Sequence, residues 1–161
     1  MTGSKSPPAR GDAAMATLGN EIVLFGGYDQ QGNDVLGDTW TFDGTRWTEV
    51  TGSKSPPARR NAAMATLGDE VVLFGGDAQG SIYQVDTWTF DGTSWTQVSV
   101  SKSPPARYST QMATLGHEVV LFGGEGPGGN LNDTWVFNGT SWTQVSISES
   151  PPAGGAMAAL P

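Results

Sequence analysis

A Pro-Pro pair begins at Pro7, Pro56, Pro104 and Pro151, at spacings of 49, 48 and 47 residues. A Gly-Gly pair begins at Gly26, Gly75 and Gly123. One tryptophan recurs at Trp40, Trp88 and Trp135, and a second at Trp47, Trp95 and Trp142. Self-similarity at such a period marks a solenoid, a propeller or another array. Each unit is then one supersecondary element that buries its apolar face only against its neighbours. The period divides the chain into full repeats at residues 2–50, 51–98 and 99–145, followed by a partial repeat at 146–161.

Each repeat carries the pattern of four short strands. Ala13-Ala14-Met15-Ala16-Thr17-Leu18 is small and apolar. Gly19-Asn20, Gly68-Asp69 and Gly116-His117 then suit two-residue hairpin turns. Ile22-Val23-Leu24-Phe25 is apolar without alternation, as a strand buried on both faces would be, and it ends at Gly26-Gly27. Thr39-Trp40-Thr41-Phe42 alternates. Asp43-Gly44, or Asn138-Gly139 in the third repeat, turns the chain into Trp47-Thr48-Glu49-Val50, polar enough for an outer edge. Composition agrees. With 23 Gly and 10 Pro in 161 residues, a helical bundle and a coiled coil are excluded. The 6 Trp, 6 Phe and 3 Tyr are too many aromatics for a disordered tail. Four antiparallel strands recurring about every 48 residues describe a propeller blade, so the expected class is all-β.

Four apolar residues before Gly-Gly, an Asp-x-Trp/Tyr-x-Phe segment and a downstream Trp resemble kelch repeats, three times over and across nearly the whole chain. The form Asp-Thr-Trp-Thr-Phe-Asp-Gly-Thr-x-Trp is similar to bacterial kelch proteins and to the propeller of galactose-oxidase-like proteins. It departs from animal adaptor kelch domains, because four residues separate Phe42 from Trp47. The resemblance implies that the first strand of each blade lines a central channel and the fourth lies at the rim. It implies that the pairs Gly26 and Gly27, Gly75 and Gly76, and Gly123 and Gly124 let backbones approach closely. Trp40, Trp47, Trp88, Trp95, Trp135 and Trp142 are expected to pack blades together rather than to serve a ligand.

Closed propellers have about 4–8 blades, more than the three encoded in full. An open wedge would leave several large apolar side chains bare on each end face, at about 1.5–3 kcal/mol each. The simplest remedy is a second copy, giving a six-bladed ring as a two-fold homodimer. The segment from Ser150 to Leu160 matches the start of a fourth repeat with two residues missing and the Arg lost. It reads equally as a spare inner strand, a strand swapped into the partner or a truncation scar. Near-identity of residues 2–10 and 51–59 points to recent duplication, a deliberate fragment or design.

Charge and residue inventory limit the function. Lys plus Arg is 8 against 16 Asp plus Glu, a net charge of −8, which disfavours nucleic acid. With no Cys, disulfides, thiol catalysis and thiolate metal sites are excluded. No apolar segment has the form of a signal peptide or membrane span, so a soluble chain of unassigned compartment, without cofactor, is expected. The loops after Gly-Gly, at residues 28–37, 77–85 and 125–132, share one end with the Pro-Pro connections and differ most between repeats. Variable loops on a rigid scaffold make a binding face. Tyr28, Tyr83 and Tyr108, in or beside these segments, are candidate contacts.

Arg10, Arg59 and Arg107 recur just before the first strand and would surround the channel mouth. Guanidinium groups there suit a carboxylate or phosphate, and the resemblance implies an acidic peptide or a small anion. The competing expectation is that each Arg ties a blade to its neighbour. His117, the single His, replaces Asn20 and Asp69 and reads as a turn residue. One His and no Cys exclude galactose-oxidase-like copper chemistry. The stretch from Asp29 to Asp34 has oxygen donors without the alternation of a calcium loop. Asn132 and Asn138 open Asn-x-Thr sequons on turn chemistry. The expected protein is a non-enzymatic propeller module that self-assembles and binds through its loop face. The alternative is a hydrolase, lyase or epimerase with its site at the channel mouth, for which no acid–base pair recurs.

Overall fold

In a computed structural model, which describes residues 6–52, 54–79 and 82–146, the chain forms three four-stranded antiparallel sheets. The first comprises β1 (Ala14–Leu18), β2 (Glu21–Asp29), β3 (Asp34–Phe42) and β4 (Trp47–Val50) in chain order. The second comprises β5 (Ala63–Leu67), β6 (Glu70–Phe74), β9 (Thr87–Phe90) and β10 (Trp95–Val98). A two-residue-per-strand ribbon, β7 (Asp77–Ala78) with β8 (Ile82–Tyr83), extends from it. The third comprises β11 (Gln111–Leu115), β12 (Glu118–Phe122), β15 (Thr134–Phe137) and β16 (Trp142–Val145), with the ribbon β13 (Glu125–Gly126) and β14 (Gly129–Asn130). No helix occurs among the described residues. The segment expected to begin a fourth repeat lies outside the described residues from position 147 onward.

Two kinds of turn set the register. Leu18 pairs with Glu21, so Gly19-Asn20 is a two-residue hairpin loop, with Gly19 at φ +57°. Phe42 pairs with Trp47 across a four-residue loop, which Asp43 closes. Its carboxylate accepts from the Thr45 hydroxyl and from the Thr45 and Arg46 amides, which holds its pKa at about 2. Asp91 closes the second loop in the same way, and Asn138 the third.

Alternate rows of a sheet point to opposite faces. In the second sheet Met64, Leu73 and Trp88 form one row and Val71, Phe90 and Trp95 the next but one, all on a bulky front face. Ala63, Phe74 and Thr87 with Ala65, Val72 and Thr89 make a slimmer back face. The front of the second sheet packs on the back of the first, burying Met64, Val71, Leu73, Trp88, Phe90 and Trp95 against Ala14, Val23 and Phe25. The front of the third packs on the back of the second by the same residue types. Trp95 meets Phe25 edge-on at 5.3 Å and donates its indole N–H to Thr39 Oγ1 at 2.9 Å. Trp142 repeats this on Phe74, at 5.3 Å, and Thr87, at 2.9 Å. First strands lie side by side, with the Thr66 hydroxyl donating to the Thr17 carbonyl and the Thr114 hydroxyl to the Thr66 carbonyl.

Trp40 and Trp47 occupy the front face of the first sheet, which no sheet precedes among the described residues, and Trp40 is nevertheless buried. One expectation needs correction. The segments expected to be loops are partly strand. After a bulge between Phe25 and Gly27, β2 runs on to Asp29 and pairs with β3 from Asp34. Backbone pairing does not depend on side-chain identity, so divergent sequences still extend the hairpin. Trp142→Ala should remove about 3–5 kcal/mol of stability, read as a shifted midpoint in urea denaturation. A change near zero would contradict the burial described.

Candidate functional site

The three recurring arginines are each built into a closed frame. Arg59 forks onto Asp86, with N–O distances of 2.6 and 2.9 Å, and donates to the Gly75 carbonyl at 3.1 Å and the Pro57 carbonyl at 3.0 Å. Asp86 also accepts the Trp88 indole N–H at 2.6 Å. Arg107 holds Asp133, Gly123 and Pro105 identically, and Trp135 completes that set. Arg10 forks onto Asp38, which also takes the Trp40 indole. The Arg59 and Arg107 side chains are fully enclosed. A ring of open guanidinium groups is therefore replaced by three ion pairs. Four of the five guanidinium N–H donors of each arginine are taken up within its own repeat, the fork onto the aspartate included. Burial pulls the Asp86 carboxyl upward, but the Arg59 fork, its charge and the Trp88 indole together hold it below the usual range. Asp38 and Asp133 are lowered in the same way.

The arginine backbone serves the neighbouring sheet. Arg59 N–H donates to the Leu36 carbonyl at 3.0 Å, and the Arg59 carbonyl accepts from Gly27 N–H at 2.9 Å. Arg107 likewise bonds Gln84 and Gly76. A Cβ on Gly75 would sit 2.6 Å from the Arg107 carbonyl oxygen, which is why a glycine stands there. Each of these arginines thus joins two sheets, through backbone on one side and side chain on the other. Residues one and two places further on continue the link. Asn61 N–H donates to the Asp12 carbonyl and Ser109 N–H to the Asn61 carbonyl, each at 2.9 Å, and all three hold φ between +52° and +57°.

The tyrosines lie on this same end. Arg60 stacks over Tyr28 at 5.0 Å and bonds the buried Asp77 at 3.0 Å. Tyr83 and Tyr108 stack with centroids 5.0 Å apart. The Glu125 carboxylate beside the Tyr108 hydroxyl pushes its pKa up to about 12. An open cleft of about 330 Å³ runs past Arg10, Tyr28, Asp29 and Gln31. Arg60 was not singled out in the sequence, because its position holds Gly11 and Tyr108 in the other repeats. His117 is exposed at its turn. Asp29 accepts from Gln31 N–H within its own turn, as a polar loop does. Among the described residues no three His, Asp or Glu side chains gather as metal ligands, and no helix is long and apolar enough to cross a membrane.

The end faces are the other surface that stands out. On the front of the first sheet Met15 is 52% exposed, whereas Met64 and Met112 at the same position are 8% exposed. Ile22, Phe42 and Trp47 are likewise only partly buried there, while their counterparts in both later sheets are enclosed. On the back of the third sheet Leu115 is 54% exposed and Val120, Val136 and Val145 are uncovered in part or whole. Among the described residues one buried side-chain polar atom lacks a hydrogen-bond partner, Thr134 Oγ1. It occupies the position at which Thr39 and Thr87 accept a tryptophan from the next sheet.

Breaking one partner of a buried ion pair leaves an uncompensated charge, at about 3–5 kcal/mol. Arg59→Ala should lose that much at neutral pH. Because the folded-state pKa of Asp86 is lowered, the pair's contribution is present above the ordinary carboxylate value, about 3.9, and fades as pH falls through the lower folded value. The gap in melting temperature between parent and variant should therefore narrow below about pH 4. A gap that stays constant from pH 7 to pH 3 would contradict this assignment.

The family model described as the KLHDC2/KLHL20/DRC7 Kelch-repeats domain matches residues 44–160. No curated protein is matched. The match spans most of the chain and coincides with the repeated Gly-Gly, Asp-Thr-Trp and outer-strand Trp positions that build the sheets, so the chain belongs to the kelch-repeat family.

Proposed function

We propose that the three sheets are blades of a β-propeller module that acts by binding rather than catalysis. It self-assembles as a homodimer with six blades, and its loop face is the surface offered to protein partners. One observation supports the assembly above all. Met15, Ile22, Phe42 and Trp47 on the front of the first sheet are more exposed than the counterparts that the later sheets enclose, although Leu24 and Trp40 beside them are buried, and on the back of the third sheet Leu115 and Val145 are exposed while Phe122 and Ala113 are buried. Several such side chains, at about 1.5–3 kcal/mol each, rival the whole stability of an ordinary domain. Two copies of three blades make six, within the range of about 4–8 for closed propellers, whereas one copy or three copies fall outside it.

The loop face supports the binding side of the reading. The Arg–Asp frames and the bulged hairpins repeat, while the residues they display do not. Arg60 stacks on Tyr28 and Tyr83 on Tyr108 there, and Tyr and Arg are the side chains enriched at protein interfaces. An acidic partner segment would meet Arg60, whose side chain is 34% exposed, rather than the enclosed Arg59 and Arg107. Light scattering at micromolar concentration should give about twice 16.8 kDa. A stably folded species of single-chain mass would contradict the assembly.

A further inference from the structure

We infer that the two open faces are each other's partner: the front of the first sheet in one copy seats on the back of the third sheet in another, with Trp47 donating its indole N–H to Thr134 Oγ1. Two such seams close the ring. This inference rests on the self-assembly proposed above and specifies which surfaces perform it.

The chain already contains this interface twice. In both cases a fourth-strand tryptophan crosses to the preceding sheet, meets a second-strand phenylalanine edge-on at 5.3 Å and donates to a third-strand threonine at 2.9 Å. Thr134 is the third such threonine and lacks its donor, and Phe122 stands in the row with it. Trp47 is the third such tryptophan, and no acceptor for its N–H is found among the described residues. It is already held in the docking pose. Its ring lies 5.0 Å from Phe42 at 34°, against 5.0 Å and 35° for Trp95 on Phe90 and 4.9 Å and 35° for Trp142 on Phe137.

Backbone groups repeat the same logic. Gly27 and Gly76 donate to the arginine carbonyls of the following sheet. No following arginine approaches Gly123 or Gly124 among the described residues, and Arg10 of a second copy is the residue of the right kind. Residues 147–161 contain no tryptophan to repeat the Trp–Thr bond of the two internal joints. The pairing is front to back, so it is head-to-tail, and two copies complete it as a closed ring rather than a filament.

A mixing experiment with full-length chains tests this. Met15→Asp spoils only the front of the first sheet, and Val120→Asp only the back of the third. Each variant alone should have the mass of one chain, and an equimolar mixture should recover the mass of two, because one intact seam remains. Near-UV circular dichroism checks that both variants are folded. If the parent is a dimer but either variant dimerises alone, or mixing restores nothing, the front-to-back seam is overturned while self-assembly stands. A single-chain parent overturns both, and open polymers overturn the closed ring. Should Met157→Asp alone dissolve the dimer, the cover belongs to residues 147–161 and the inference fails. The conservative pair Trp47→Phe and Thr134→Val reads the bond itself. One lost hydrogen bond is worth roughly fivefold, so two seams should raise the dissociation constant roughly 25-fold. The double variant should be no weaker than either single one, since both remove the same bond. Unchanged dissociation constants would overturn the Trp47–Thr134 contact.

Discussion

The carbonyl of Arg59 accepts from Gly27 in the first sheet while its guanidinium grips Asp86 in the second, and Arg107 repeats the arrangement one sheet further on. Each arginine is therefore a pin through the joint between two sheets. The buried charge is tolerated because the fork is matched by a carboxylate and two further donors by carbonyls. The Gly-Gly pair follows from it, since the arginine carbonyl comes so close that a side chain on Gly75 would collide. The bulge at Gly26 also follows, and with it the turn of the hairpin toward the loop face.

Around these pins the packing is modular. Every joint mates a bulky front with a slimmer back, using the same tryptophan, phenylalanine and threonine. Stability in such an array is approximately a sum of unit and nearest-neighbour terms. Where no further sheet covers the front of the first or the back of the third among the described residues, Met15, Phe42, Trp47 and Leu115 lack the enclosure that their counterparts have. That is why the end faces carry meaning here, whereas a scattered exposed leucine would not.

Much of this was legible in the sequence. The period, the Gly-Gly pairs and the two-residue turns all act locally or at a fixed spacing, so they stand out in a single chain. The pairing of Arg59 with Asp86, 27 residues on, did not, because a strand count does not say which charges meet. The signal was present: Asp38, Asp86 and Asp133 recur with the same period as Arg10, Arg59 and Arg107, which is what a matched pair must do. Thr39, Thr87 and Thr134 were hidden more deeply, since a threonine in a strand needs no further explanation. The two tryptophan series looked alike, yet one is anchored within its own sheet and the other reaches across. Hairpin extension beyond Gly-Gly left no trace, because it is made by backbone alone.

For the loop face, the outcome is a division of labour. The expected cationic ring is absorbed into the frame, and the tyrosines and Arg60 lie outside it. The central claim, that the joints are equivalent and the last one is completed by a second copy, is tested most directly by the indole N–H of Trp47. Hydrogen exchange followed by NMR across a dilution series should show that proton exchanging as slowly as those of Trp95 and Trp142 at assembling concentrations, and quickly once diluted. Fast exchange of the Trp47 proton at every concentration, with Trp95 and Trp142 still protected, would contradict it.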